Sequence, residues 1–310
     1  MEESNNHKAS KTLIEQIAGF LKLKNTGWIL IIILLILLLI GFLNDLIFNP
    51  PKGSIVDPII WILDVFFKLL GYENLQDFDY RAPTILRNLS NGAVTTLIAS
   101  VLSVSIGFFL AVLFAVILVT PGKVLGFKYV AQAYVDFFRS TPLLVQILLV
   151  YFGLPAVFPD LIPFIRSLDI LNYEIFSGTI ALALNTAAYQ SEIIRSGILA
   201  IPTGQTEAAR ALGLTSKQTM RYVILPQAIR LIVPPLTNEA INVLLNSSLI
   251  SAIGAVDLTK SAQSMQAYYF LWQIFFIAAI YYFVIAYTLS KLTKEFEVRF
   301  RIPGLGVAHD

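Results

Sequence analysis

Glu192 and Asn185 lie inside a run, 175–200, that is otherwise apolar enough to cross a bilayer. An ionisable side chain at such a depth costs roughly 2.5–3.5 kcal/mol on insertion scales, so it is a functional candidate by default. Glu192 falls about two turns from the cytoplasmic end of this helix, and Asn185 about two turns above it on nearly the same face. A carboxylate there suits an α-ammonium group or a cationic side chain. It equally suits Arg195, at i, i+3, in a pair that only stabilises the helix. Residue chemistry leaves these two roles even. Asn238, Asn242 and Asn246 recur at i, i+4, i+8 and make a polar stripe on a later apolar run. Asparagine in a membrane helix serves either as interhelical glue or as pore lining. Glue suits Asn238 better, and pore lining suits Asn242 and Asn246. Pro234 and Pro235 are expected to break the helix just before the stripe, freeing backbone groups that must face protein or water.

A third constellation is of another kind. The stretch "GQTEAARALGLTSKQTMRYVILPQAIR" from Gly204 interrupts the apolar pattern with Glu207, Arg210, Lys217, Arg221 and Arg230, too polar to sit in lipid. "TEAARALGL" nonetheless reads as a short helix, with Thr206 as N-cap and Gly213 as stop, and a second helix follows over 216–223. Ala208 and Ala209 let another surface approach the backbone, and Glu207, Arg210 and Arg221 offer charges to it. The alternative is a loop helix that packs only on its own protein.

The elements that position these residues are membrane helices. Of 310 residues, 56% are hydrophobic and 14% charged, against roughly 25% charged in soluble domains. Residues 28–48 form the clearest span, with no charge between Trp28 and Asn44. Lys22 and Lys24 before it also suit a cleaved signal peptide, but the run is too long and no small-residue cleavage site follows, so an uncleaved anchor is expected. Five further apolar runs, 92–120, 129–157, 175–200, 227–256 and 268–292, bring the expected count to six spans in an all-α membrane protein.

With the N-terminus inside, fifteen Lys and Arg flank the spans on the inner side and six on the outer. That asymmetry predicts both termini in the cytoplasm, and the polar stretch with them. The expected organisation is a cytoplasmic segment 1–27, the additional span 28–48, and an extracytoplasmic segment 49–91. A transmembrane core 92–292 follows, carrying the cytoplasmic loop 201–226, and then a cytoplasmic tail 293–310. Within 49–91, "DPIIWILDVFFKLLGY" reads as an amphipathic helix on the outer interface, and "KTLIEQIAGFLKLK" near the N-terminus reads likewise on the inner one.

Several chemistries are excluded. Without cysteine there is no disulfide or thiolate site, and the two histidines, His7 and His309, stand at opposite ends of the chain. No metal site is expected, and a net charge of +2 makes no case for nucleic acid.

The polar stretch resembles the EAA loop of ABC-importer inner-membrane permeases. Glu207, Ala208, Ala209, Gly213, Val223, Leu225 and Pro226 match its spacing, with valine where isoleucine is usual. "FFRSTPLLVQILLVYFGLP", "AAYQSEIIRSGI", "LPQAIRLIVPPLTNE" and "LNSSLISAIGAVDL" are similar to segments of the polar amino-acid permeases, the last to a variant in broad-range members. The likeness runs from Asn91 to about Arg301 and implies a five-helix type I core plus the extra N-terminal span.

The resemblance further implies that Glu207, Ala208, Ala209 and Gly213 dock on a cytoplasmic ABC ATPase dimer, with Arg210 and Arg221 flanking. It implies a second permease copy or similar paralogue and a separate extracytoplasmic amino-acid-binding protein. ATP and Mg would be bound by the ATPase partner. The chain itself, which has no GxxxxGK[ST] loop, would carry no cofactor and be no enzyme. It places Glu192 and Asn185 on the substrate path and brings Thr96, Ser140 and Thr141 near the amino-acid site. Hydroxyls bonding back to their own helix carbonyls are the alternative for the threonines.

Two positions depart from the family pattern: Ser140 stands for a glycine and Leu245 for a frequent lysine. Together these features predict an ATP-driven importer subunit of the inner membrane for polar, basic or broad-range amino acids. An ion-coupled secondary transporter is the alternative, disfavoured because no internal repeat is evident. A non-transporting scaffold would leave Glu192 and the asparagines unexplained.

Overall fold

The computed structural model describes residues 76–120, 125–167 and 172–300. The expected span 28–48, both amphipathic segments and the tail beyond residue 300 lie outside the described residues. Among the described residues there is no strand. The helices are α1 (Gln76–Val119), α2 (Leu125–Ser140), α3 (Leu143–Val157), α4 (Leu161–Ser167), α5 (Tyr173–Leu199), α6 (Thr203–Ala211), α7 (Ser216–Thr219), α8 (Leu225–Asn246), α9 (Leu258–Tyr269) and α10 (Gln273–Phe300). A π turn, Met220–Ile224, joins α7 to α8, and a 3-10 segment, Ser247–Ile253, follows α8.

Among the described residues, three segments are long and apolar enough to cross a membrane by themselves: Pro83–Val119, Ser216–Ile253 and Gln273–Thr293. A fourth crossing is available if α2 and α3 act together, but they meet at a bend of 112°. The run 129–157 is therefore not one straight helix. Pro142 sits between the two helices with extended backbone (φ −64°, ψ 132°), and Gln146 and Val145 bond back to its carbonyl to start α3.

α5 is the central helix. At 27 residues it is about 40 Å long, enough to span the hydrocarbon core. It fails a purely compositional test because protein, and not lipid, covers its polar groups: Asn185, Thr186, Gln190 and Ser191 are all buried. It packs against α1, α2, α3 and α8. Two glycines permit the closest approaches. A Cβ at Gly107 of α1 would lie 2.3 Å from Thr186 Cγ2, and one at Gly197 of α5 would lie 2.3 Å from Ile232 Cγ1 on α8.

α1 begins sixteen residues before the expected start of its span. The added turns are amphipathic, burying Ile85, Leu86 and Leu89 against α9 and α10. At 44 residues the helix is about 66 Å long, so part of it extends beyond a ~30 Å core.

Pro234 and Pro235 do not break α8, contrary to the expectation from sequence. They remove the N–H groups that would bond to the carbonyls of Arg230 and Leu231, yet the helix runs from Leu225 to Asn246 through them. Buried Ala228 and Ile232 on one side and Val243 and Leu244 on the other hold the two halves in line. The irregular backbone is displaced to the ends, into the π turn before α8 and the 3-10 segment after it.

Candidate functional site

The polar residues of the membrane region separate into three groups. The first fastens the α2–α3 bend to α5. Asn185 Nδ2 donates to Gln146 Oε1 (2.9 Å) and to the Phe138 carbonyl (3.3 Å). Gln146 Nε2 in turn donates to the Phe138 carbonyl (2.9 Å), the Thr141 carbonyl (3.0 Å) and Thr141 Oγ1 (2.7 Å). Thr141 Oγ1 donates to the Phe137 carbonyl, its own helix four residues back. The carbonyls left open where α2 ends are thus satisfied by one glutamine amide. Gln146 is 3% exposed, and a buried amide with all its groups engaged fixes a bend more firmly than apolar packing alone. Its signal in the sequence is the lone amide in "LLVQILLV". Ser140 stands beside the bend, exposed, as the last residue of α2.

The second group is Glu192 with Arg195. Arg195 Nε donates to Glu192 Oε2 at 2.8 Å and Arg195 Nη2 to Glu192 Oε1, a two-pronged pair on one helix turn. The side chains are 24% and 33% exposed, respectively, so the pair is open on one side. Arg139, at the end of α2, lies with its guanidinium carbon 5.7 Å from the Tyr189 ring centroid, one turn from Glu192.

The third group centres on an acid that sequence reading passed over. Glu239 lies within the Ser216–Ile253 crossing segment, in the second half of α8. Its Oε1 accepts from Thr186 Oγ1 of α5 (3.2 Å), and its Oε2 accepts from Asn242 Nδ2 (3.5 Å). No ion pair to Glu239 occurs among the described residues. Asn238 and Asn242 also line an open recess of about 430 Å³ between α8 and α10, faced by Phe283, Tyr287 and Ser290. Asn246 is exposed at the last position of α8, beyond this recess. The available signal for Glu239 was an acid deep in an apolar run.

Thr96 lies apart from all three. Fully buried, its Oγ1 accepts from Leu258 N–H (3.1 Å) at the start of α9. There it joins Asp257, whose Oδ1 accepts from Lys260 N–H (2.8 Å) as the N-cap of α9 and whose Oδ2 accepts from the Tyr282 hydroxyl (3.4 Å). Asp257 lies between the crossing segments that end at Ile253 and begin at Gln273. Loss of water around its carboxyl pushes its pKa up to about 6 against these hydrogen bonds, which favour the anion.

The polar loop folds as a compact hairpin of short helices. α6 starts at Thr203, three residues before the expected cap, because Pro202 sets the entry angle. It ends in a Schellman closure: Leu214 N–H bonds to the Ala209 carbonyl (3.1 Å) and Gly213 N–H to the Arg210 carbonyl (3.0 Å). Gly213 supplies the left-handed residue this requires, at φ 84°. α7 begins with a capping box between Thr215 and Gln218. Ala209 is buried beneath α6, while Glu207, Ala208, Arg210 and Leu212 face outward, Leu212 81% exposed. Arg210 Nη1 donates to Ser216 Oγ (2.7 Å), tying the two short helices, and Arg221 stacks beside Tyr222 (5.7 Å to the ring centroid).

Comparison with known proteins fits this geometry. Residues 107–302 match the family described as the binding-protein-dependent transport system inner membrane component. The putative glutamine transport system permease protein GlnP of Rickettsia typhi is 37% identical over 209 residues, 66% of this chain and 89% of the relative. The L-cystine transport system permease protein TcyB of Bacillus subtilis is 37% identical over 213 residues, 68% of this chain and 86% of the relative. Among solved structures, the crystal structure of an amino acid ABC transporter with histidines is 38% identical, with a TM-score of 0.62, covering 74% of this chain and 99% of that one. A hairpin of short helices outside a core of crossing helices, a match over residues 107–302 and relatives aligned over most of their length agree: this chain belongs to the family of inner membrane components of binding-protein-dependent transport systems.

Proposed function

We propose that the chain forms the translocation path of an ATP-driven importer of polar amino acids, basic or broad in range, and that α6 is its coupling helix. The observation that carries this is the outward face of α6. Glu207, Ala208 and Arg210 are exposed beside a buried Ala209, on a helix closed at its C-terminal end and tied to its neighbour. Small residues on an exposed face, flanked by charges of both signs, suit a groove in a partner. The partner is a cytoplasmic ABC ATPase dimer that binds ATP and Mg, and the permease works with a second copy of itself or a similar paralogue. A separate extracytoplasmic protein delivers the amino acid. Both termini then lie in the cytoplasm, with six crossings in all, and the chain is no enzyme.

Transmission follows from how α6 is joined to the core. α6 leads through α7 and the π turn directly into α8, which packs on α5 and α10. A displacement of α6 by ATPase closure therefore moves α8 as a body, and with it Asn238, Glu239 and Asn242. This is the bistable, rigid-element transition by which one site biases another. On the substrate side, Glu192 and Arg195 present a carboxylate and a guanidinium side by side, the complement of a zwitterionic amino acid. Asn185 and Thr141 set the bend that frames this pair, and Asn242 and Asn246 continue the polar line along α8.

Glu207→Lys tests the coupling role by reversing a charge on an exposed position. The expected result is a folded permease that no longer co-purifies with the ATPase subunit or no longer couples hydrolysis to uptake. Unchanged co-purification and uptake contradict the role.

A further inference from the structure

We propose that Glu239 is a specificity-determining residue of the path and that it receives a cationic side chain of the transported amino acid. The inference rests on the reading of the chain as an amino-acid path and deepens it. Glu192 on α5 and Glu239 on α8 are held differently. Glu192 is neutralised by a two-pronged guanidinium on its own helix. Glu239, within its crossing segment, is held among the described residues by a hydroxyl and an amide, both neutral. Glu239 is half-buried; taking a carboxylate even partly out of water without a countercharge is costly, and a hydroxyl and one long amide contact offset only part of the cost. A cation brought by substrate completes the site.

Geometry supports the same assignment. Asn242 donates to Glu239 and also lines the recess between α8 and α10, so the carboxylate is one side chain away from open space. The far wall carries the Phe283 and Tyr287 rings, stacked at 5.6 Å and 24°, which suit the apolar stem of a long cationic side chain. Thr186, the partner of Glu239 on α5, precedes Glu192 by six residues, about 9 Å along the helix axis.

The test is uptake by the complete importer, permease with its ATPase and binding protein, in proteoliposomes, using arginine and glutamine as probes. Glu239→Gln is expected to raise KM for arginine about 10- to 100-fold relative to glutamine, the range for losing one hydrogen-bonded charge. Glu239→Asp is expected to retain preference for arginine. Equal change for both probes overturns the inference, leaving Glu239 a structural group, while absence of ATP-driven uptake by the unmodified importer overturns the transport reading itself.

A second measurement needs no variant. Labelling of Glu239 in the unmodified importer by dicyclohexylcarbodiimide, read by mass spectrometry, is expected to fall on adding arginine and not on adding glutamine. Protection by sodium chloride over choline chloride to the same degree as by arginine assigns the acid to an inorganic cation and overturns the proposal.

Discussion

Gly107→Ala adds one methyl at the closest approach of α1 and α5. The new Cβ would stand 2.3 Å from Thr186 Cγ2, 3.1 Å from the Ala183 carbonyl oxygen and 3.3 Å from Ala187 N. Carbon atoms attract best at about 3.5–4.0 Å, so the two methyls overlap by more than 1 Å and the helices or the Thr186 rotamer must shift. Overpacking of this kind costs roughly 1–3 kcal/mol. At roughly 2–4 °C per kcal/mol for a domain of about this size, the detergent-solubilised protein is expected to melt about 2–12 °C lower.

The structure also specifies the rescue. Thr186→Ser removes the clashing methyl and keeps the hydroxyl that donates to Glu239. By itself it deletes one buried methyl, about 1 kcal/mol. In the Gly107→Ala background it is expected to restore more than half of the lost melting temperature, the remainder reflecting the tight backbone contacts. Thermal unfolding of the wild type, both single variants and the double variant gives the coupling as a double-mutant cycle. If Gly107→Ala melts with the wild type, or if the double variant is no more stable than Gly107→Ala, the α1–α5 packing described above is wrong.

Two further outcomes follow from buried polar groups. Gln146→Leu leaves the Phe138 and Thr141 carbonyls and the Asn185 amide short of partners, so it is expected to cost about 1–3 kcal/mol per group left unsatisfied. Limited proteolysis should then show faster cleavage near 138–142, and an unchanged cleavage rate counts against the role of Gln146 at the bend. Asp257 predicts a pH dependence. Its folded pKa of about 6 lies above the ordinary 3.8, so the native state holds the proton more tightly. Its contribution is therefore greatest below pH 4, is lost as pH rises towards 6, and is constant above, a change of about 2–3 kcal/mol. Asn keeps the N-cap and cannot titrate, so melting of Asp257→Asn measured from pH 4 to pH 7 should lack that slope. Parallel profiles for wild type and variant refute it.

The sequence made the helices legible where composition and capping agree. α5 was expected over 175–200 and occurs at Tyr173–Leu199, and a short helix ended by Gly213 was expected from its helix formers and its glycine. Ion pairing of Glu192 with Arg195 was legible as an i, i+3 spacing, although spacing could not decide between pairing and substrate contact.

Less legible were features that depend on what lies opposite in space. The run 129–157 reads as one span only when Gln132, Asp136 and Arg139 are carried along with it; its 112° bend is fixed by Gln146 reaching back across Ser140, a contact that sequence spacing does not display. Pro234 and Pro235 read as a break because local propensity cannot include the packing that carries α8 through them. Glu239 was passed over because its significance depends on the neutral character of its partners, one of which comes from α5, 53 residues away in the chain.

ATP-driven uptake tests the central claim most directly. The permease is reconstituted with its ATPase and binding protein in proteoliposomes, and uptake of labelled amino acid is followed with ATP inside the cytoplasmic compartment and no ion gradient. The account predicts uptake that requires ATP and the binding protein and is abolished by Glu207→Lys. Uptake by the permease alone on a proton or sodium gradient, indifferent to ATP and to that substitution, would contradict it.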